Sequence, residues 1–275
     1  MRVLGIDFTS RPGPRKPITC VTAELRGDEL QVDTLERWPS FTPFEAALAQ
    51  SGPWIAGLDF PFGMPARFID NIGWPSTWAG YVQHVAGLSR ADFRAQLDDY
   101  RQGRPPGDKE HRRWTDIAAG AISPQKLYGV PVGLMFFEGA PRVLASGAHV
   151  PGLQAGDPER TVVEAYPGAL ARFLISRTGY KNDSRSKQTE AQHRARRLMF
   201  KKLTDGALLE SHGIRVNADA AIASDPGADD LDALLCAVQA ASAWLNREQQ
   251  FGAPAGYSKD EGWIAEPTVY QSEWQ

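Results

Sequence analysis

Short apolar runs with the period of a strand open the chain. Residues 2–8 carry Val3, Leu4 and Ile6 and predict a buried strand, followed by a Gly/Pro-rich turn over 9–16. Residues 17–25 and 29–38 are strand-like, and Arg26-Gly27-Asp28 between them is a turn signal that predicts a hairpin. Over 42–50 the period becomes helical, with Thr42 as the candidate N-cap and Pro43 at the first helical position. Residues 54–60 return as an apolar strand that ends in Asp59 and can pair with the first. The expected order is therefore a three-stranded meander, a helix and a fourth strand.

Residues 66–120 break this rhythm. Trp74, Trp78 and Trp114 are scattered among Arg and Asp residues, Arg104-Pro105-Pro106-Gly107 interrupts them, and no strand alternation appears, so a helical or irregular insertion is expected within one domain spanning 1–275. An apolar stretch over 127–137 predicts a buried helix within 122–146. Residues 161–165 read as a short strand and 168–176 as a helix with Pro167 at its start. A basic stretch comes next, ten Lys/Arg between 172 and 202 against Asp183 and Glu190, largely on an amphipathic helix. The last strong helical pattern runs over 229–245, behind a Pro226-Gly227 break, and the tail predicts a small strand or hairpin around Glu261-Gly262-Trp263-Ile264.

Composition narrows the class. With 275 residues, 42% hydrophobic and 23% charged, the chain can bury a sizeable core, so general disorder is excluded. A net charge of −3 argues against a globally basic nucleic-acid binder and leaves only a local patch for such contacts. Cys20 and Cys236 sit in apolar surroundings, which predicts buried free thiols and fits a reducing cytosol. No signal-peptide h-region and no membrane-length apolar run is present, so a soluble cytoplasmic protein without membrane contact is expected. The five histidines show no metal-ligand spacing, and no P-loop or nucleophile elbow occurs.

The candidate chemistry lies in the acids. Asp7 and Asp59 end strand-like runs, Glu164 sits inside Val162-Val163-Glu164-Ala165-Tyr166, and Asp229, Asp230 and Asp232 open the last helix. Each has a bland explanation: turn former, water-facing edge residue, or acid favoured by a helix dipole. Asp229 and Asp232 are three apart and share a side of a helix, whereas Asp230 turns about 100° away. Carboxylates brought together from separate elements repel and need a cation, which points to divalent-metal chemistry. Arg194, Arg196, Arg197, Lys201 and Lys202 form the candidate phosphate-tracking face, with a plain solvated helix face as the alternative.

These segments, taken in order, resemble the RNase H-like superfamily, and the C-terminal half resembles RuvC-type resolvases. Gly5-Ile6-Asp7, Asp59-Phe60-Pro61-Phe62-Gly63, Glu164-Ala165-Tyr166-Pro167, Asp229-Asp230-Leu231-Asp232-Ala233 and Glu261-Gly262-Trp263-Ile264 are similar, over nearly the whole chain, to family number 429 of the domains of unknown function, which are predicted nucleases. The resemblance implies an α/β fold with an RNase H-like mixed five-stranded sheet, flanking helices and a helical insertion over 66–120. It further implies a two-metal phosphodiester hydrolase, with Mg²⁺ or Mn²⁺ on Asp7, Asp59 and Asp232, Glu164 or Asp229 as an added ligand or water-orienting group, and Lys187 with nearby arginines on a nucleic-acid backbone. Resolvase-like relatives imply a homodimer. Competing readings are an actin-like-fold phosphotransferase or ATPase, for which Thr9-Ser10-Arg11-Pro12-Gly13 is a poor phosphate loop, and a catalytically silent binding module.

Overall fold

The computed structural model describes residues 1–182 and 184–270, so Asp183 of the basic stretch and positions 271–275 of the expected domain lie outside the described residues. The chain begins β1 (Arg2–Asp7), β2 (Ile18–Arg26), β3 (Glu29–Trp38), α1 (Phe41–Ala49) and β4 (Trp54–Leu58). Helices α2 (Ala66–Ile72), α3 (Trp78–Ala86), α4 (Arg90–Arg101), α5 (Trp114–Ala118) and α6 (Val132–Ser146) follow. Then come β5 (Ala148–His149), β6 (Asp157–Glu164), α7 (Pro167–Ile175), α8 (Glu190–Thr204), α9 (Leu209–His212), β7 (Arg215–Asn217) and α10 (Asp229–Leu245).

The strands form one mixed sheet in the order β5-β6-β4-β1-β2-β3-β7. β1, β2 and β3 are the expected antiparallel meander, its hairpin turned by Gly27 at φ 62°, a left-handed conformation that glycine adopts without strain. β4 pairs with β1 in parallel and β6 with β4 in parallel, so the C-terminal ends of these three strands share one edge. Among the described residues the expected count of five strands is corrected to seven. β5 and β7 hold two and three residues, too few for a strand period to show in the sequence.

Helix starts moved where local signals competed. Ser40 rather than Thr42 occupies the N-cap position of α1, without a side-chain capping bond, which places Pro43 inside the first turn, and α6 starts only at Val132 because Pro131 precedes it. The expected tail hairpin is a single parallel bridge, Glu164 to Ile264, closed off by Pro267 in a 3₁₀ turn. Residues 66–120 are mainly helical, and Phe68, Trp78, Tyr81 and Phe93 share one core with Leu4, Ile6, Ala56 and Leu58 of the sheet. The opposite face, Val3, Val21, Ile55 and Val163, packs on α7, α8 and α10.

The packing of α10 on the sheet sets up the site. A Cβ on Gly5 would come within 2.1 Å of the Ala233 carbonyl and 2.3 Å of the Ala237 nitrogen, and one on Gly57 within 2.4 Å of the Cys236 carbonyl. Backbone thus lies directly on backbone, and every residue from Asp230 to Ala243 is buried. Both cysteines are buried and free, in accord with the expectation.

Candidate active site

Strand alternation decides which acids can meet. Asp7 shares parity with Val3 and Gly5, and Asp59 with Ile55 and Gly57, so both project toward α10. Asp232 lies in the first turn of α10, just before the stretch that rests on Gly5 and Gly57, which carries its carboxylate over the same strand ends. The start of α10 is itself constrained. Ala228 takes φ 64°, ψ 17°, an uncommon conformation for a residue with a Cβ, while the Asp225 carboxylate accepts from Asp229 N at 2.8 Å and Gly227 N at 3.3 Å.

The three acids share one field. Burial, then the charge of Asp232, push the Asp7 carboxyl well above the usual range, with Asp59 and Asp229 adding to the effect. Burial pushes Asp59 up to about 7, Asp232 and Glu164 reinforce this, and Lys181 and Lys16 oppose it. Two cations answer the charge. Lys181 Nζ is bonded to Asp232 Oδ2, Tyr180 Oη donates to Asp232 Oδ1 at 2.8 Å, and Lys16 Nζ donates to Asp229 Oδ1 at 2.7 Å. The loop bearing Tyr180 and Lys181 is tied to α8, since Arg196 donates to the Tyr180 carbonyl at 2.8 Å and Gln192 to that of Lys181 at 3.0 Å. Burial works against the Lys181 ammonium, but Asp232, Tyr180 and Asp7 outweigh it and hold the charge on.

Glu164 and Asp230 go elsewhere. Glu164 stands in register with Leu58, on the opposite face of the sheet from Asp59. There the Arg113 guanidinium forks between Glu164, at 2.6 and 2.7 Å, and Asp116, at 2.7 and 3.0 Å, with all three side chains at most 3% exposed. Glu164 Oε2 also accepts from Phe62 N at 2.8 Å, which anchors the turn after Asp59. Asp230 accepts from Arg37 at 2.6 Å, outside the cluster as its helical angle requires. On α8, Arg194, Arg197 and Lys201 are exposed, as is Lys187 in the 3₁₀ turn before it. Arg197 and Lys201 line a groove with Leu198 and Phe200 that contains none of the acids, whereas the expected face is corrected at two positions: Arg196 is buried on the Ala223 and Tyr180 carbonyls, and Lys202 donates to the Leu174 carbonyl at 2.6 Å.

A cavity of about 290 Å³ opens beside Asp59, between Tyr180 and Lys181, the Arg113 triad, the start of α7 and the apolar side chains of Ile122, Val130, Val132 and Met135. Sequence reasoning missed Arg113, Asp116, Tyr180 and Lys181. Lys181 was hidden within a run of ten cations, and only the i,i+3 spacing of Arg113 and Asp116 hinted at a pair.

The donor chemistry of Asp7, Asp59 and Asp232, carboxylate oxygens without thiolate or imidazole, suits a hard divalent cation. Their arrangement is held by Lys181 instead: among the described residues, no group of three or more His, Cys, Asp or Glu stands as it is in a form that could hold a metal ion. Likewise, no described helix is long and apolar enough to cross a membrane. A family model described as protein of unknown function (DUF429) matches residues 5–255. No curated protein and no solved structure matches the chain.

Proposed function

The chain belongs to the DUF429 family, proteins of unknown function, and from that premise we propose that it is a divalent-metal-dependent nuclease with an RNase H-like core. What supports this reading is that strand parity and the seating of α10 on Gly5 and Gly57 turn Asp7, Asp59 and Asp232 toward the same strand ends, where burial and mutual charge raise the Asp7 and Asp59 carboxyls. The sheet order supports it too: β3-β2-β1-β4-β6 is a meander continued by parallel strands, with β5 and β7 as edge additions. Ligands of open α/β sheets bind beyond the carboxyl ends of parallel strands, which is where these acids lie.

In this proposal Asp7, Asp59 and Asp232 would hold Mg²⁺ or Mn²⁺, which would supply positive charge to activate water and to stabilise the leaving oxygen. Loading requires Lys181 to leave Asp232. The freed ammonium, still tethered through Gln192 to α8, is then available to a non-bridging phosphate oxygen. Tyr180 orients the Asp232 carboxylate, and Asp229, paired with Lys16, borders the acids and adds to the charge that raises Asp7. Glu164 acts through others: with Arg113 it fixes Phe62 and hence the turn that carries Asp59. Lys187, Arg194, Arg197 and Lys201 offer exposed cations for a phosphate backbone, a role that makes binding weaken as salt rises.

The test is cleavage of labelled DNA and RNA by the purified protein in Mn²⁺, with Asp7→Asn and Asp232→Asn alongside. Loss of turnover in both variants, with binding kept, is expected. Equal cleavage by wild type and variants would sink the proposal.

A further inference from the structure

The cavity beside Asp59 is more apolar than phosphate chemistry alone requires. Ile122, Val130, Val132 and Met135 form one wall, and Ile122 and Val130 stay 41% and 57% exposed at its mouth. Its charged wall is largely self-satisfied, because Arg113 is bonded to both Asp116 and Glu164. A ligand therefore meets an aliphatic surface and, at one end, Asp59, Tyr180 and Lys181. The nine-residue helix α7 also opens on the cavity through Tyr166, Pro167 and Gly168, with no side-chain cap, so its positive end faces the same space. At about 290 Å³ the cavity lies at the small end of ligand pockets, which span roughly 300–1,000 Å³. It suits one ring system and excludes a stacked pair.

We infer that the cavity seats one unpaired nucleobase, so that the phosphoester presented to Asp7, Asp59 and Asp232 belongs to a nucleotide outside any duplex. This rests on the phosphoester reading of the acids. A base has an apolar face for the aliphatic wall and a polar edge for the Tyr180 and Lys181 end, while its phosphate complements Lys181 and the α7 terminus. In a duplex the bases are stacked and paired and show only their groove edges, so they reach such a pocket only when splayed out. A free nucleotide ester and an unpaired position in a strand present the same chemistry, and the experiment separates them.

The test pairs binding with turnover. Four unlabelled ligands compete with a fluorescein-labelled single strand: a single strand, the same strand in a blunt duplex, an abasic single strand and a mononucleotide ester. Fluorescence titration with wild type is expected to show binding of the single strand at least about tenfold tighter than of the abasic strand or the duplex. The exposed substitution Val130→Trp, which fills the mouth, is expected to remove that preference and to leave the abasic strand unaffected. A mononucleotide ester that binds as well as the strand assigns the site to free nucleotides; a weaker one assigns it to unpaired positions in a chain. Equal binding of all four ligands, or a preference unchanged in Val130→Trp, overturns the inference. Cleavage assayed in parallel reads the other proposal: base-dependent binding without any Mn²⁺-dependent cleavage removes the nuclease reading and leaves the base pocket standing.

Discussion

Replacing Arg113 by methionine tests the electrostatic logic of the site most directly. The guanidinium is 1% exposed and supplies the cationic charge between Asp116 and Glu164, at most 3% exposed themselves; burial opposes its charge, and the two carboxylates outweigh that. Methionine approximates the aliphatic part of the arginine but strands both acids. Breaking a buried ion pair by removing one partner costs about 3–5 kcal/mol. The two pairs share one cation, so their losses are not additive, and a single deficit of that size is expected. Against a total stability of about 5–15 kcal/mol this is a large share. With a urea slope near 3 kcal/mol per M, the midpoint should fall by about 1–2 M at pH 8. The chain's eight tryptophans, Trp114 adjacent to the substitution, report unfolding by fluorescence. Once unpaired, Glu164 is held above its unfolded pKa by burial, so the folded variant binds a proton that its unfolded chain releases. The deficit must therefore shrink as pH falls from 8 to 5, and Arg113→Met/Glu164→Gln/Asp116→Asn should recover at least half of it at pH 8. A loss below about 1 kcal/mol, or one equal at both pH values, would refute the reasoning.

Other expectations follow from the same geometry. Gly5→Ala forces a methyl against the α10 backbone and should destabilise by about 3 kcal/mol or more, read by thermal unfolding; a neutral result would mean that α10 is free to shift. Without divalent cations, the raised carboxyls of Asp7 and Asp59 bind protons more tightly in the folded state. Their contribution is full below the ordinary carboxylate value of 3.8 and, for Asp59, is lost as pH rises through about 7. Melting temperature should accordingly fall between pH 5 and 8, and Asp59→Asn should flatten that fall; an unchanged slope counts against the shared field. Lys181→Gln removes the cation bonded to Asp232 and should tighten Mn²⁺ binding measured by calorimetry, whereas weaker binding would show that Lys181 does not compete with the metal.

Much of this architecture was legible in the sequence because its elements obey local rules. The apolar run of Val3, Leu4 and Ile6, the Gly27 turn, and the break before a seventeen-residue helix at Asp229 needed no tertiary information. Asp7 and Asp59 could be singled out because an acid at the end of an apolar run is locally conspicuous, and Asp232 because it opens a strong helical pattern. The rest was not local. That Glu164 turns away from Asp59 depends on the register of β6 against β4, one residue of slip being enough to reverse it. Arg113 and Lys181 sit in segments rich in like residues, where composition cannot tell a buried partner from a solvated one. Two- and three-residue strands such as β5 and β7 exist only because a neighbouring strand is there to pair with them.

The order of the acids along the chain has a consequence during synthesis. Asp7 and Asp59 belong to strands made in the first quarter of translation, whereas Asp232 arrives on the helix that fills one face of the finished sheet. A nascent chain can pair β1 with β4 long before α10 has emerged, and over that interval it carries two acids but no third and no lid over Gly5 and Gly57. The assembled cluster is thus a product of the final docking step. Fragments that end before Asp229 lack it altogether, so whatever this site does in the cell begins only once α10 has docked on the sheet.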